Sequence, residues 1–180
     1  MATIRIKTPL GDIDVALDTE HAPKTAAHFL DLIRAGHLDD AAFYRIVRSS
    51  GTEGVPPSID IIQGGVGWER CMGLPSVAHE RTDVTGLRHC DGAISLARSA
   101  DTNASSEFFI CIGDQPMLDA GAMPGAAEIG FAVFGKVASG MDVVRAIQSL
   151  PAERDPPGGD ARFVKQFLTD LVPITTIEIL

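Results

Sequence analysis

The sequence predicts one mainly β or α+β domain over residues 1–180, a closed barrel of about eight strands and two helices. Three observations carry this. The chain is rich in short apolar or alternating segments bounded by Gly, Pro and polar turns. Its two helical patterns lie far apart, so no regular strand-helix-strand repeat builds a doubly wound parallel sheet. So many short strands leave fewest exposed edges when closed into a barrel. With 180 residues, 45% of them hydrophobic, the chain can bury one sizeable core, or at most two very small ones.

Residues 2–8 (ATIRIKT) and 11–17 (GDIDVAL) alternate apolar and polar residues around Pro9-Leu10, as in a hairpin with one buried face. Pro23 suits a first helical turn. Ala22, Ala26, Phe29, Leu30 and Ile33 fall at helical spacing and Gly36 ends the run, predicting a helix over about 23–35. AAFYRIV (41–47) and IDIIQ (59–63) read as strands separated by a Gly- and Pro-rich loop. Residues 66–91 show no period. AISLA (93–97) and EFFICI (107–112) read as strands flanking RSADTNASS, residues 113–130 as loop, and 130–137 as a strand. Ser139 or Gly140 caps a second helix carrying Val143, Val144, Ile147 and Leu150, stopped by Pro151. Residues 151–172 wander, and VPITTIEIL (172–180) closes the chain as a strand.

Composition narrows the function. A net charge of −9 suits solubility and disfavours nucleic acid, whose phosphates need basic patches. No run of about 18 apolar residues predicts a membrane span, and the first residues lack a secretory pattern. Cys71, Cys90 and Cys111, odd in number and without CxxC spacing, fit a reducing cytoplasm. Cys71, His79, His89 and Cys90 have no zinc-finger spacing, and Ser105-Ser106 lacks a nucleophile elbow. Metal and hydrolase chemistry are therefore not expected.

Five segments in order resemble the cyclophilin family of peptidyl-prolyl isomerases. They are AAFYRIV (41–47), IDIIQGG (59–65), GAISLARSADTNASSEFFICI (92–112), MLDAG (117–121) and FAVFGKVASGMDVV (131–144). No one piece is specific; five in order over most of the chain are. The resemblance implies an eight-stranded antiparallel closed β-barrel capped by two α-helices. It also implies isomerisation of X-Pro bonds in proline-containing peptides and client proteins by a monomer without cofactor or metal. An X-Pro amide resists rotation because nitrogen and carbonyl share electrons, and twisting returns a lone pair to nitrogen. A fixed donor aimed there stabilises the twisted state. By itself Arg45 is a strand-end arginine; in the family pattern it is that donor, always charged and forked. The resemblance places Gln63 on Arg45 or on the substrate backbone. It assigns Phe109, Met117, Leu118 and Phe131 to the proline pocket, Ile61 to substrate binding, and Phe108 to the core. Ala97, Arg98 and Ser99 form the edge that pairs with an extended peptide.

Three departures bear on activity. Asp60 stands where the family has a pocket phenylalanine and is expected to reach Arg45, unless Val55 or Ile59 supplies the wall. Glu107 replaces glutamine and adds negative charge. Met117 replaces an aromatic residue that helps some members bind cyclosporin, so weak cyclosporin affinity is expected. The acidic departures motivate an alternative: a cyclophilin-fold module that binds proline peptides with little isomerase activity.

Overall fold

A computed structural model describes residues 2–49, 59–98, 103–123 and 128–180. The first hairpin forms from β1 (Ala2–Thr8) and β2 (Gly11–Leu17). Ile4 pairs with Val15 and Ile6 with Ile13, burying the apolar set, while Arg5 and Asp14 form an ion pair on the polar face. Helix α1 (Pro23–Arg34) follows, with Pro23 in its first turn. Its first amides are satisfied from afar: Glu80 accepts from the Thr25 amide and hydroxyl, each at 2.7 Å. Ala26, Phe29, Leu30 and Leu32 are buried, whereas Ile33 is only partly so.

β3 (Ala42–Val47) and β4 (Ile61–Gly65) form the next pair. The stretch without period holds α2 (Trp68–Cys71), the two-residue β5 (Val77–Ala78) and α3 (Thr82–Thr85). β6 (Ala93–Arg98) and β7 (Asn103–Cys111) come next, then β8 (Ala132–Ser139), α4 (Met141–Gln148), β9 (Phe167–Pro173) and β10 (Thr176–Ile179). Gly140 precedes α4 at φ 94°, where a Cβ would meet the Asp12 carbonyl, so this junction requires glycine.

Among the described residues one antiparallel sheet runs in the order β10-β1-β2-β8-β6-β7-β4-β3-β9, with β5 on β7. The mainly β architecture and the two longer helices are as expected. Among the described residues the strands number ten rather than eight, for two reasons. β5 lies in the stretch without period, and β9 lies mostly in the 151–172 stretch expected to be irregular, leaving only β10 within the expected closing strand 172–180. Between β9 and β10 the Ile174 amide bonds the Ala41 carbonyl and the Thr175 amide the Lys7 carbonyl. The chain thus steps from the β3 edge to the β1 edge. β9 and β10 share no ladder among the described residues, so the sheet curls as a half-barrel whose ends this corner joins. β7 starts at Asn103 rather than 107 because Val77 and Ala78 pair with Ala104 and Asn103.

The two sheet faces carry separate apolar clusters. The inner one centres on Phe29, Phe43, Phe108 and Phe134, with Phe108 edge-on to Phe29 and Phe43 at 5.5 and 5.7 Å. The outer one joins Val47, Ile61, Ala93, Ala97, Phe109, Cys111, Leu118 and Val133, with Ile59 and Phe131 packed against it. Along β7 core and outer-face residues therefore alternate, Phe108 and Ile110 facing in and Phe109 and Cys111 out.

Candidate functional site

Strand register assembles the site on the outer face. Arg45 pairs with Phe167 and Gln63, Gln63 with Phe109, and Phe109 with Ser95. Directly paired residues share a face, so these side chains form one row across five strands. A register shift in β3 between Phe43 and Arg45 inserts an extra residue. Tyr44 and Arg45 consequently both lie outside the inner core, while Phe43 and Ile46 stay within it.

The Arg45 guanidinium is half-buried and held. Nη1 donates to Gln63 Oε1 at 2.6 Å, while Nε and Nη2 donate to Gln166 Oε1 at 2.9 and 2.6 Å. The Phe163 ring lies 4.9 Å from Cζ. Burial pushes the Arg45 pKa down to about 10, which leaves it charged at neutral pH. Beyond Gln63 the chain of bonds continues. Gln63 Nε2 donates to the Tyr44 hydroxyl at 2.9 Å, and Tyr44 donates to Glu107 at 2.5 Å. Glu107 is 1% exposed and also accepts from the Gly67 amide and the Ser106 hydroxyl. Gly65, at φ 143°, makes room for this carboxylate, since a Cβ there would collide with Glu107.

The apolar half lies alongside. Phe109 and Phe131 meet edge to face at 5.3 Å, with Leu118 and Ile61 in the same cluster. His89 stacks behind Phe109 at 5.8 Å, its Nδ1 bonding Asp119 at 2.7 Å and its Nε2 meeting the Ser95 hydroxyl at 3.1 Å. Burial holds the His89 pKa below the ordinary value against the pull of Asp119. Neutral His89 thus donates from Nδ1 and accepts from Ser95. A held cation on the same face as an aromatic cluster can bind an apolar ring and polarise the group beside it.

The family model for cyclophilin type peptidyl-prolyl cis-trans isomerase/CLD matches residues 3–176. The chain belongs to the cyclophilin family. This cyclophilin is 32% identical over 155 residues to peptidyl-prolyl cis-trans isomerase A of Dickeya dadantii, covering 86% of this chain and 75% of the relative. It is 30% identical over 164 residues to peptidyl-prolyl cis-trans isomerase cypE of Dictyostelium discoideum, covering 91% and 95%. A crystal structure of a Cryptosporidium parvum cyclophilin type isomerase shares the fold at a TM-score of 0.73 and 21% identity, covering 99% of this chain and 97% of that one. That protein was also solved in the presence of the dipeptide Ala-Pro.

The structure brings Arg45, Gln63, Phe109, Leu118, Ile61, Phe131 and Ala97 of this cyclophilin onto one face. Met117 sits at the rim, 40% exposed. The Arg98 guanidinium lies 5.4 Å over Phe131, with Nε donating to the Gly130 carbonyl. Ser99 and Val55 lie outside the described residues. Two expectations need correction. The Asp60 carboxylate bonds the Ser49 amide and the Gln148 side chain, each at 3.1 Å, not Arg45. The reason is local: its neighbour Ile61 takes the outer face, while Gln148 of α4 offers a donor. Glu107 reaches Arg45 only through Tyr44 and Gln63, and it is too buried to meet a peptide directly. Among the described residues no group of three His, Cys, Asp or Glu is placed to hold a metal.

Sequence reading missed Tyr44, Gln166, Phe163 and the His89-Asp119-Ser95 chain. Simple alternation sets Tyr44 opposite Arg45, and only the register shift reverses this. Residues 160–166 carry no period at all.

Glu107 gives a pH test. Burial raises its folded pKa above the ordinary 4.5. Below that range both folded and unfolded chains are protonated. As pH rises, the unfolded chain ionises first, so stability is lost until the folded carboxyl ionises too. Glu107→Gln should remove this loss. Denaturant midpoints of the two proteins should diverge from about pH 4.5 upward in favour of the variant. Parallel profiles would mean that burial does not control this carboxyl.

Proposed function

We propose that this cyclophilin accelerates cis-trans rotation about X-Pro bonds in peptides and client proteins. One observation carries the reading: a half-buried guanidinium, held on two edges, stands in the same cross-strand row as the aromatic wall Phe109, next to Phe131 and Leu118. The pocket holds the proline ring by apolar contact while the chain before it turns. As the amide twists, its nitrogen regains a lone pair, and an Arg45 N–H bonds it. That bond is absent from the planar ground state, so it lowers the barrier rather than merely tightening binding. The donor is pre-oriented by Gln63 and Gln166, so little reorganisation is needed as the bond forms.

The motive for a binding-only module has weakened, because neither Asp60 nor Glu107 bonds Arg45. Arg98 and Ala97 supply the edge for an extended peptide. Weak cyclosporin affinity remains expected from Met117. A cytoplasmic site of action as a monomer is part of the proposal, supported by three unpaired cysteines; no described helix is long and apolar enough to cross a membrane.

NMR on a short Ala-Pro or Glu-Pro peptide tests the proposal. Shift changes at Ala97, Phe109, Met117 and Leu118 report binding. Exchange cross-peaks between cis and trans peptide, absent without protein because uncatalysed exchange takes tens to hundreds of seconds, report catalysis. We expect both. Binding without exchange would leave the module; neither signal at millimolar peptide would remove the proline site.

A further inference from the structure

We propose that Gln166 is a positioning residue for Arg45, supplied by the C-terminal segment and as necessary to the donor's aim as Gln63. The inference rests on the isomerase reading for its kinetic consequence.

An arginine side chain has several free torsions, and a donor that wanders is a poor catalyst. Arg45 is restrained on two edges and one face. Gln63 takes Nη1, Gln166 takes both Nε and Nη2, and Phe163 covers the plane. The remaining Nη hydrogens are left for the prolyl nitrogen. Gln166 is itself fixed at three points. Its carbonyl accepts the Ile46 amide at 2.8 Å, its amide bonds the Phe163 carbonyl, and its side-chain Nε2 donates to the Arg162 carbonyl at 3.1 Å. That last bond sets the orientation of the side chain. With Nε2 engaged there, Oε1 faces the guanidinium, which has only donors to offer.

The backbone beside Gln166 carries an independent sign. Lys165 is the one non-glycine residue with positive φ, at 59°, among the described residues. Such a conformation is disfavoured for lysine and persists where surrounding contacts impose it. Here it turns the chain after the short helical turn Ala161–Phe163. Phe163 and Gln166 thereby arrive together on Arg45. No pattern in the sequence announces this, because the segment has no period and its residues act through a contact 121 positions away.

The experiment uses three substitutions in the full chain. Gln166→Met keeps length and packing but removes the acceptor. We expect kcat for the peptide to fall about tenfold while peptide Kd stays within about twofold. Bonded to Gln166, the wild-type Arg45 Nε–H should give an NMR signal that exchanges slowly with water, and this signal should vanish in Gln166→Met. Gln166→Glu, which keeps an acceptor oxygen, should keep that signal. In an Arg45→Ala background Gln166→Met should cost nothing more, since it acts only through the arginine. Unchanged kcat in a folded Gln166→Met protein, or a second tenfold loss in the Arg45→Ala background, would overturn the inference. If the wild type shows no exchange, the isomerase reading fails by itself. The Nε–H comparison still decides the positioning role, and a signal retained in Gln166→Met sinks it.

Discussion

Arg45→Ala is expected to lower isomerase activity by about 10²–10³ while the protein stays folded. The size follows from the bond removed. Arg45 offers a charge-assisted donor that meets its acceptor only when the X-Pro bond is twisted. Its loss therefore appears in the rate far more than in peptide affinity. The fold should survive because Arg45 stands on the outer face, away from Phe43 and Ile46. Removing it leaves Gln63 and Gln166 with carbonyl oxygens at a partly open surface that water can reach. Arg45→Lys should also perform poorly. A single ammonium lacks the planar fork that lets Gln63 and Gln166 hold two edges at once. A tetrapeptide isomerisation assay on folded protein settles this. An Arg45→Ala variant that keeps more than half of the activity would show that the donor lies elsewhere.

How legible this site was depends on where each signal lives. Local alternation in residues 2–8 and 11–17 names both strands of the first hairpin to the residue, because one face is buried and a slip would expose Ile4, Ile6, Ile13 and Val15. Arg45, Gln63 and Phe109 were legible as a motif, and register explains why their spacing works: three neighbouring strands bring one residue each to the same row. Asp60 was misread because position in the motif does not fix which partner wins. Gln148, 88 residues away, offers its carboxylate a donor that no local pattern reveals. Tyr44 was hidden by one inserted residue in β3. Gln166 and Phe163 were hidden because their role exists only after the chain has folded back across β3. In the sequence Glu107 is only a charge near the site. Its neighbours Tyr44, Gly67 and Ser106 turn it into a buried acceptor that orients Gln63 from behind.

Phe108→Ala and Phe109→Ala should fail in different ways, although the two residues are adjacent. Successive strand residues point to opposite faces, and here the faces do different work. Phe108 is fully buried between Phe29 and Phe43, where α1 meets the sheet. Truncating it opens a cavity that ring-sized neighbours cannot refill, at a cost of about 3–5 kcal/mol. Domains are commonly stable by only about 5–15 kcal/mol, so Phe108→Ala should unfold at a much lower denaturant concentration and could fail to accumulate. Phe109 stands on the outer face, edge-on to Phe131 and backed by His89. A pocket without its ring should bind proline peptides at least tenfold more weakly, since a buried aromatic face is worth well over 1 kcal/mol. The fold should tolerate the change better, because the inner cluster is untouched. Urea midpoints and peptide titrations on both variants separate the two roles. Equal losses of stability, or full peptide affinity in Phe109→Ala, would mean that the two faces of β7 do not divide core from site as the register implies.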